Sequence, residues 1–68
     1  MKFSKAFKIL KKGGRVRTPE FADGYYLKAL FNKNTGKRDE LAIVRSDDTV
    51  MPYRLEDSDL FSEEWEQL

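Results

Sequence analysis

The chemically capable side chains of this 68-residue chain are a biased set: it has no His and no Cys. Their absence removes Ser–His and Cys–His nucleophilic pairs, thiolate chemistry and the ordinary zinc ligand sets. Carboxylates remain, as Asp57 with Asp59 and Glu63 with Glu64. Paired acids serve as acid and base in glycoside hydrolysis, but only in a deep, partly desolvated cleft. A chain this short scarcely builds one, so these pairs read as a solvated acidic face. Gly13-Gly14 lacks the spacing and the following Lys-Ser/Thr of a phosphate loop. The inventory predicts no enzyme, no metal and no cofactor.

What the inventory does supply is recognition chemistry. Phe21, Tyr25, Tyr26, Tyr53 and Trp65 offer flat apolar faces, and Arg15, Arg17, Arg45 and Arg54 offer planar guanidinium groups suited to bidentate contact with phosphate. Aromatic plus Arg is the combination that holds a base by stacking and its phosphates by charge. Small domains also use aromatics as core, and Trp65 is expected there.

The elements that must position these groups follow from periodicity. Phe3, Ala6, Phe7 and Leu10 recur at i, i+3, i+4, i+7 while Lys5, Lys8, Lys11 and Lys12 lie mostly on the opposite side, the pattern of an amphipathic helix. Ser4 is the expected N-cap and Gly13-Gly14 the stop. Arg15-Val16-Arg17 reads as a short strand, and Pro19 and Ala22-Asp23-Gly24 as a loop. Strands are predicted over Tyr25–Phe31, Leu41–Arg45 and Thr49–Arg54. Asn32–Lys37 is the hairpin connection between the first two, and Asp47-Asp48 turns the chain into the third. Residues Glu56–Ser62 read as a helical turn, and Glu63–Glu66 as a closing strand. The predicted fold is α+β: an N-terminal amphipathic helix packed on a small antiparallel sheet, with a short helical turn before a C-terminal strand.

A hydrophobic content of 40% supports one modest core, so residues 1–68 are read as a single domain. Lacking Cys, the chain fits a reducing cytoplasm, and it has no apolar run of the roughly 18 residues that span a bilayer. The net charge of +1 conceals a segregation. Residues 1–17 carry Lys2, Lys5, Lys8, Lys11, Lys12, Arg15 and Arg17 with no acid; residues 55–68 carry Glu56, Asp57, Asp59, Glu63, Glu64 and Glu66 with no base. The two ends are expected to lie together, within the fold or across a subunit contact, and neutralise each other. The balanced total argues against a strong polyanion site, so nucleic acid is a disfavoured partner. Apolar residues on both faces of the two central strands need more cover than one helix gives, which predicts a homo-oligomer.

The order of these motifs resembles the Thoeris anti-defence type 2 proteins of phages and prophages. The opening match is Phe3 with its amphipathic helix, the Gly-Gly stop, Arg15-Val16-Arg17 and Phe21; the closing one is Met51-Pro52-Tyr53 with Ser58-Asp59-Leu60-Phe61-Ser62-Glu63-Glu64-Trp65-Glu66. The similarity covers both ends of the chain, with a shorter middle, and Phe21 and Tyr53 stand where the family usually has Trp. The resemblance implies a cytoplasmic, homotetrameric sponge that sequesters a cyclic nucleotide immune signal, glycocyclic ADP-ribose or a cyclic oligonucleotide, without cleaving it. It implies a ligand site at subunit contacts made of Arg17, Phe21, Tyr26, Tyr53 and Asp59. A protein-binding inhibitor of the anti-CRISPR type, whose acidic end mimics nucleic acid, and a small nucleic-acid-binding module remain as alternatives.

Overall fold

The computed structural model describes residues 1–68. Helix α1 (Phe3–Lys11) uses the predicted spacing: Ala6 and Leu10, one turn apart, are fully buried, and Phe3 packs on Trp65 with ring centroids 5.4 Å apart. The expected Ser4 cap is not formed. Lys2 occupies the N-cap position in extended backbone with no capping side chain. Packing on Trp65 draws Phe3 into the first turn, which leaves Ser4 two positions inside the cap.

The helix stops as the glycines dictate. Gly13 adopts φ +89, its N–H donates to the Leu10 carbonyl at 3.0 Å, and the Gly14 N–H reaches back to the Ile9 carbonyl at 2.9 Å. These are the two bonds of a Schellman stop. A Cβ on Gly14 would lie 2.4 Å from Ile9 Cγ2, so that position requires the missing side chain.

Five strands form one antiparallel sheet. They are β1 (Val16–Arg17), β2 (Tyr26–Asn32), β3 (Lys37–Val44), β4 (Val50–Pro52) and β5 (Glu66–Gln67), in the order β4-β3-β2-β1-β5, and helix α2 (Asp57–Phe61) precedes β5. The α+β fold matches the sequence expectation; the boundaries differ in an informative way. β3 begins at Lys37 rather than Leu41, because the charged run Lys37–Glu40 pairs with the outer half of β2 despite having no apolar alternation. Its register shifts between Leu30 and Phe31, which oppose Glu40 and Arg38 and leave Asp39 as the extra residue of a bulge.

Side-chain alternation divides the sheet. One face carries Val16, Leu27, Ala29 and Leu41, packed with α1 and Trp65 into the core. The other carries Tyr26, Lys28, Leu30, Ala42 and Val44. Ala42 and Val44 are nonetheless buried, because Ala42 sits in register between Lys28 and Pro52, and Val44 between Tyr26 and Val50. Part of the apolar surface on this face is thus covered within the sheet itself, while Val50 stays half exposed.

The two ends of the chain meet. β1 pairs with β5, the Leu68 N–H donates to the Arg15 carbonyl at 3.0 Å, and the Trp65 N–H to the Met1 carbonyl at 3.1 Å. Arg17 Nε lies 3.9 Å from Glu66 Oε1, and Lys2 Nζ 3.9 Å from Glu63 Oε1. Two basic residues of the N-terminal segment thus meet acids of the C-terminal one within the subunit, as the sequence suggested. Neither pair is a large source of stability, since Lys2, Glu63 and Glu66 are solvent-exposed.

Candidate ligand-recognition site

Tyr53 leaves β4 on the core face, its N–H donating to the Leu41 carbonyl at 3.0 Å. From there the ring meets Phe21, which is 32 positions earlier in the chain, with centroids 6.1 Å apart. Phe21 in turn presents its edge to Trp65 at 5.7 Å and 80°. The row continues through Phe3 to Phe7, whose centroids are 5.9 Å apart. Phe21 and Tyr53 are only partly buried, so each keeps part of its surface in solvent while its other contacts lie in the core.

Asp59 fixes one end of this row. Its carboxylate accepts the Tyr53 hydroxyl at 2.7 Å and the Glu56 N–H at 2.9 Å, and its carbonyl accepts Trp65 Nε1–H at 2.8 Å. The first-turn position near the helix N-terminus suits a carboxylate. Burial, followed by the hydrogen bond to Asp59 and the charges of Asp59 and Glu56, holds the Tyr53 phenol well above its ordinary range. At neutral pH Tyr53 is therefore a donor with its proton committed to Asp59.

Arg17 holds the segment that carries the second ring of the row. Its guanidinium donates to the Phe21 carbonyl at 2.8 Å and the Tyr25 carbonyl at 3.2 Å, which clamps the loop joining β1 to β2. Nε faces Glu66. Two of its five N–H groups go to these carbonyls, and Nε, 3.9 Å from Glu66, is in ion-pair range without a hydrogen bond, which leaves one N–H on each terminal nitrogen for an incoming anion. The side chain is only 15% exposed, so its present work is to place the loop that carries Phe21.

The five residues singled out in the sequence therefore divide. Phe21, Tyr53 and Asp59 form one cluster, which Arg17 joins only through the Phe21 carbonyl, whereas Tyr26 belongs to the opposite face of the sheet, in register with Val44. There the Arg15 guanidinium carbon lies 5.2 Å from the Tyr26 ring centroid, a cation–π contact. Arg15, exposed and next to an aromatic ring, is a recognition group that the sequence reading mentioned without singling out. A second aromatic–Arg contact forms at the loop end of the sheet, where Arg45 Nε approaches the Tyr25 hydroxyl at 3.4 Å and its pKa is raised chiefly by that bond.

Two surface concavities lie away from the Phe21–Tyr53 pair: one between the C-terminal half of α1 and the β2–β3 hairpin, the other between the N-terminal end of α1 and α2. No group of acidic side chains is arranged to hold a metal ion, and no helix is long and apolar enough to cross a membrane.

No curated protein matches the chain. A family profile described as the Thoeris anti-defense 2-like domain matches it along its whole length, residues 1–68. Helix, glycine stop, basic strand, Pro-aromatic segment and the Asp59–Trp65 knot all lie within the matched residues, and the chain belongs to the Thoeris anti-defense 2-like family.

Proposed function

We propose that this anti-defence domain captures a phosphate-bearing cyclic nucleotide signal in the bacterial cytoplasm and holds it unchanged. The observation that carries the reading is the meeting of Phe21 and Tyr53. Two segments distant in sequence bring partly exposed rings to 6.1 Å, with an Arg clamp on one side and a buried carboxylate on the other. A ring pair held this rigidly offers a stacking platform without further ordering.

Phe21 and Tyr53 supply the stacking faces in this reading. Asp59 positions Tyr53, and Arg17 positions Phe21 while turning its two remaining N–H groups to phosphate. Tyr26, on the other face of the sheet, reaches such a pocket only from a neighbouring subunit. With Arg15 above its ring, it supplies the aromatic–cation half of a site shared between copies. That arrangement calls for an oligomer and is consistent with the tetramer implied by the sequence resemblance. A chain without His or Cys holds the signal but has little with which to cleave it.

Titration calorimetry with a panel of cyclic nucleotides tests the reading. Stacking on one aromatic is worth about 1–3 kcal/mol per base, so Phe21→Ala should weaken binding roughly ten- to a hundred-fold. Arg17→Ala should weaken it to a similar degree by losing phosphate contact and releasing the loop. Unchanged affinity in both variants would move the site elsewhere. Absence of binding across the panel would favour a protein-binding inhibitor.

A further inference from the structure

The groove between the C-terminal half of α1 and the β2–β3 hairpin encloses about 640 Å³, within the roughly 300–1,000 Å³ of small-molecule sites. Phe7, Phe31 and Leu41 line it, and the two rings keep 45% and 57% of their surface in solvent. Lys11, Lys37 and Arg38 edge it. The ion pairs of the subunit, Lys2–Glu63 and Arg17–Glu66, engage none of these three cations. Asp39, the one acid lining the groove, accepts the Thr35 hydroxyl at 2.8 Å. Arg38 is set in place: Nη1 donates to the Ala29 carbonyl at 2.8 Å, and the guanidinium lies so near Gly13 that a Cβ there would come within 3.1 Å of it. Its Nε–H and Nη2 groups, the edge that grips a carboxylate bidentately, have no protein partner. Lys11 Nζ sits 5.3 Å from the centroid of the Phe7 ring, which puts positive charge directly beside the apolar lining.

We infer that this groove binds a free amphiphilic carboxylate of the fatty-acid class, its chain over Phe7, Phe31 and Leu41 and its head on Arg38 beside Lys11 and Lys37. The choice of ligand follows from what the lining lacks. It has no amide or hydroxyl side chain, and its one carboxylate is engaged by Thr35, so its side chains offer little to base edges or sugar hydroxyls. Apolar contact and positive charge are what remain, and a chain with one anionic end answers both. A single molecule suits the shape better than a bilayer, because a recess between helix and hairpin takes one chain out of water, whereas a membrane surface is met by apolar side chains that project. The Phe21–Tyr53 pair contributes no residue to the groove. Occupation of the groove therefore stands or falls independently of nucleotide capture.

Titration calorimetry with decanoate, kept below its micelle concentration, tests the inference, with decanol and decyltrimethylammonium as neutral and cationic controls. Decanoate should bind at least roughly ten-fold more tightly than either control, on the scale of one charge-assisted hydrogen bond. Octanoate, shorter by two methylenes, should bind roughly fifteen-fold more weakly than decanoate. Arg38→Gln should weaken decanoate roughly ten- to a hundred-fold. Lys37→Gln supplies a second arm, since Lys37 is exposed and its loss should weaken decanoate without moving the melting temperature. Phe21→Ala should leave decanoate affinity unchanged, which keeps this result apart from any failure of nucleotide capture. In NMR spectra of the protein with decanoate, the amide shifts should centre on Lys11, Gly36 and Arg38. No decanoate binding, equal binding of decanol, or amide shifts centred on Phe21 and Tyr53 would overturn the inference. So would sedimentation with anionic phospholipid vesicles by a protein that ignores free decanoate.

Discussion

Trp65 and Phe61 stand four positions apart and end in opposite environments: the indole is 1% exposed, the phenyl ring 84%. Around Trp65 every polar group is answered, with Nε1–H on the Asp59 carbonyl, the Asp59 carboxylate on Tyr53, and the Phe3 and Phe21 rings against its faces and edge. Around Phe61 nothing within the subunit is answered. The contrast separates residues that complete the fold from residues that the fold leaves in solvent. In a domain with so small a core, leaving a large aromatic ring in water is a cost with no folding return. The same contrast separates the two ends of α1. Its N-terminal end joins the Trp65 knot, and Phe7 near its other end borders an open groove.

Substitutions sharpen the contrast in order of size. Trp65→Ala should cost about 3–5 kcal/mol, enough to leave a domain this small largely unfolded, as read by denaturant melts. Tyr53→Phe removes the partner of a buried carboxylate and should cost about 1–3 kcal/mol by the same melts. Phe61→Ala should stay within about 0.5 kcal/mol of the parent. Comparable losses for Trp65→Ala and Phe61→Ala would erase the distinction on which the account rests.

A pH series probes the same knot. The Tyr53 phenol has its pKa raised in the fold, so the protonated form is favoured there. Its stabilisation is complete below the ordinary tyrosine value of about 10 and declines as pH rises above it. The stability gap between the parent and Tyr53→Phe should be constant from neutral pH to about pH 9 and should narrow above about pH 10. A gap that widens with alkalinity would contradict the Tyr53–Asp59 hydrogen bond as donor and acceptor are assigned.

Periodicity made the architecture legible: the spacing of Phe3, Ala6, Phe7 and Leu10 gave α1, the glycines gave its stop, and alternation gave the strands. The opposed charges of the two ends correctly anticipated that those ends lie side by side. What periodicity could not give was the fate of individual residues in short elements. In Asp59-Leu60-Phe61 the rule that apolar residues go inside fails, because a five-residue helix must satisfy its own amides first. Asp59 does this from an inward position while receiving Tyr53, which turns Leu60 and Phe61 outward. The Lys37–Glu40 stretch hid its strand for a related reason. Pairing with β2 depends on backbone bonds that charged side chains do not advertise. At the candidate site, residue types gave only a broad aromatic–Arg set, which the family resemblance narrowed to Phe21, Tyr53, Arg17, Tyr26 and Asp59, and only the fold shows that Arg17 holds a loop and that Tyr26 faces the other way.

The central claim is capture without chemistry, and release of the bound molecule tests it most directly. The protein is incubated with a cyclic nucleotide that it retains through desalting, then unfolded by heat, and the supernatant is separated by chromatography. The account predicts recovery of the intact nucleotide in proportion to the protein loaded. Recovery of a hydrolysed or linearised product would contradict it.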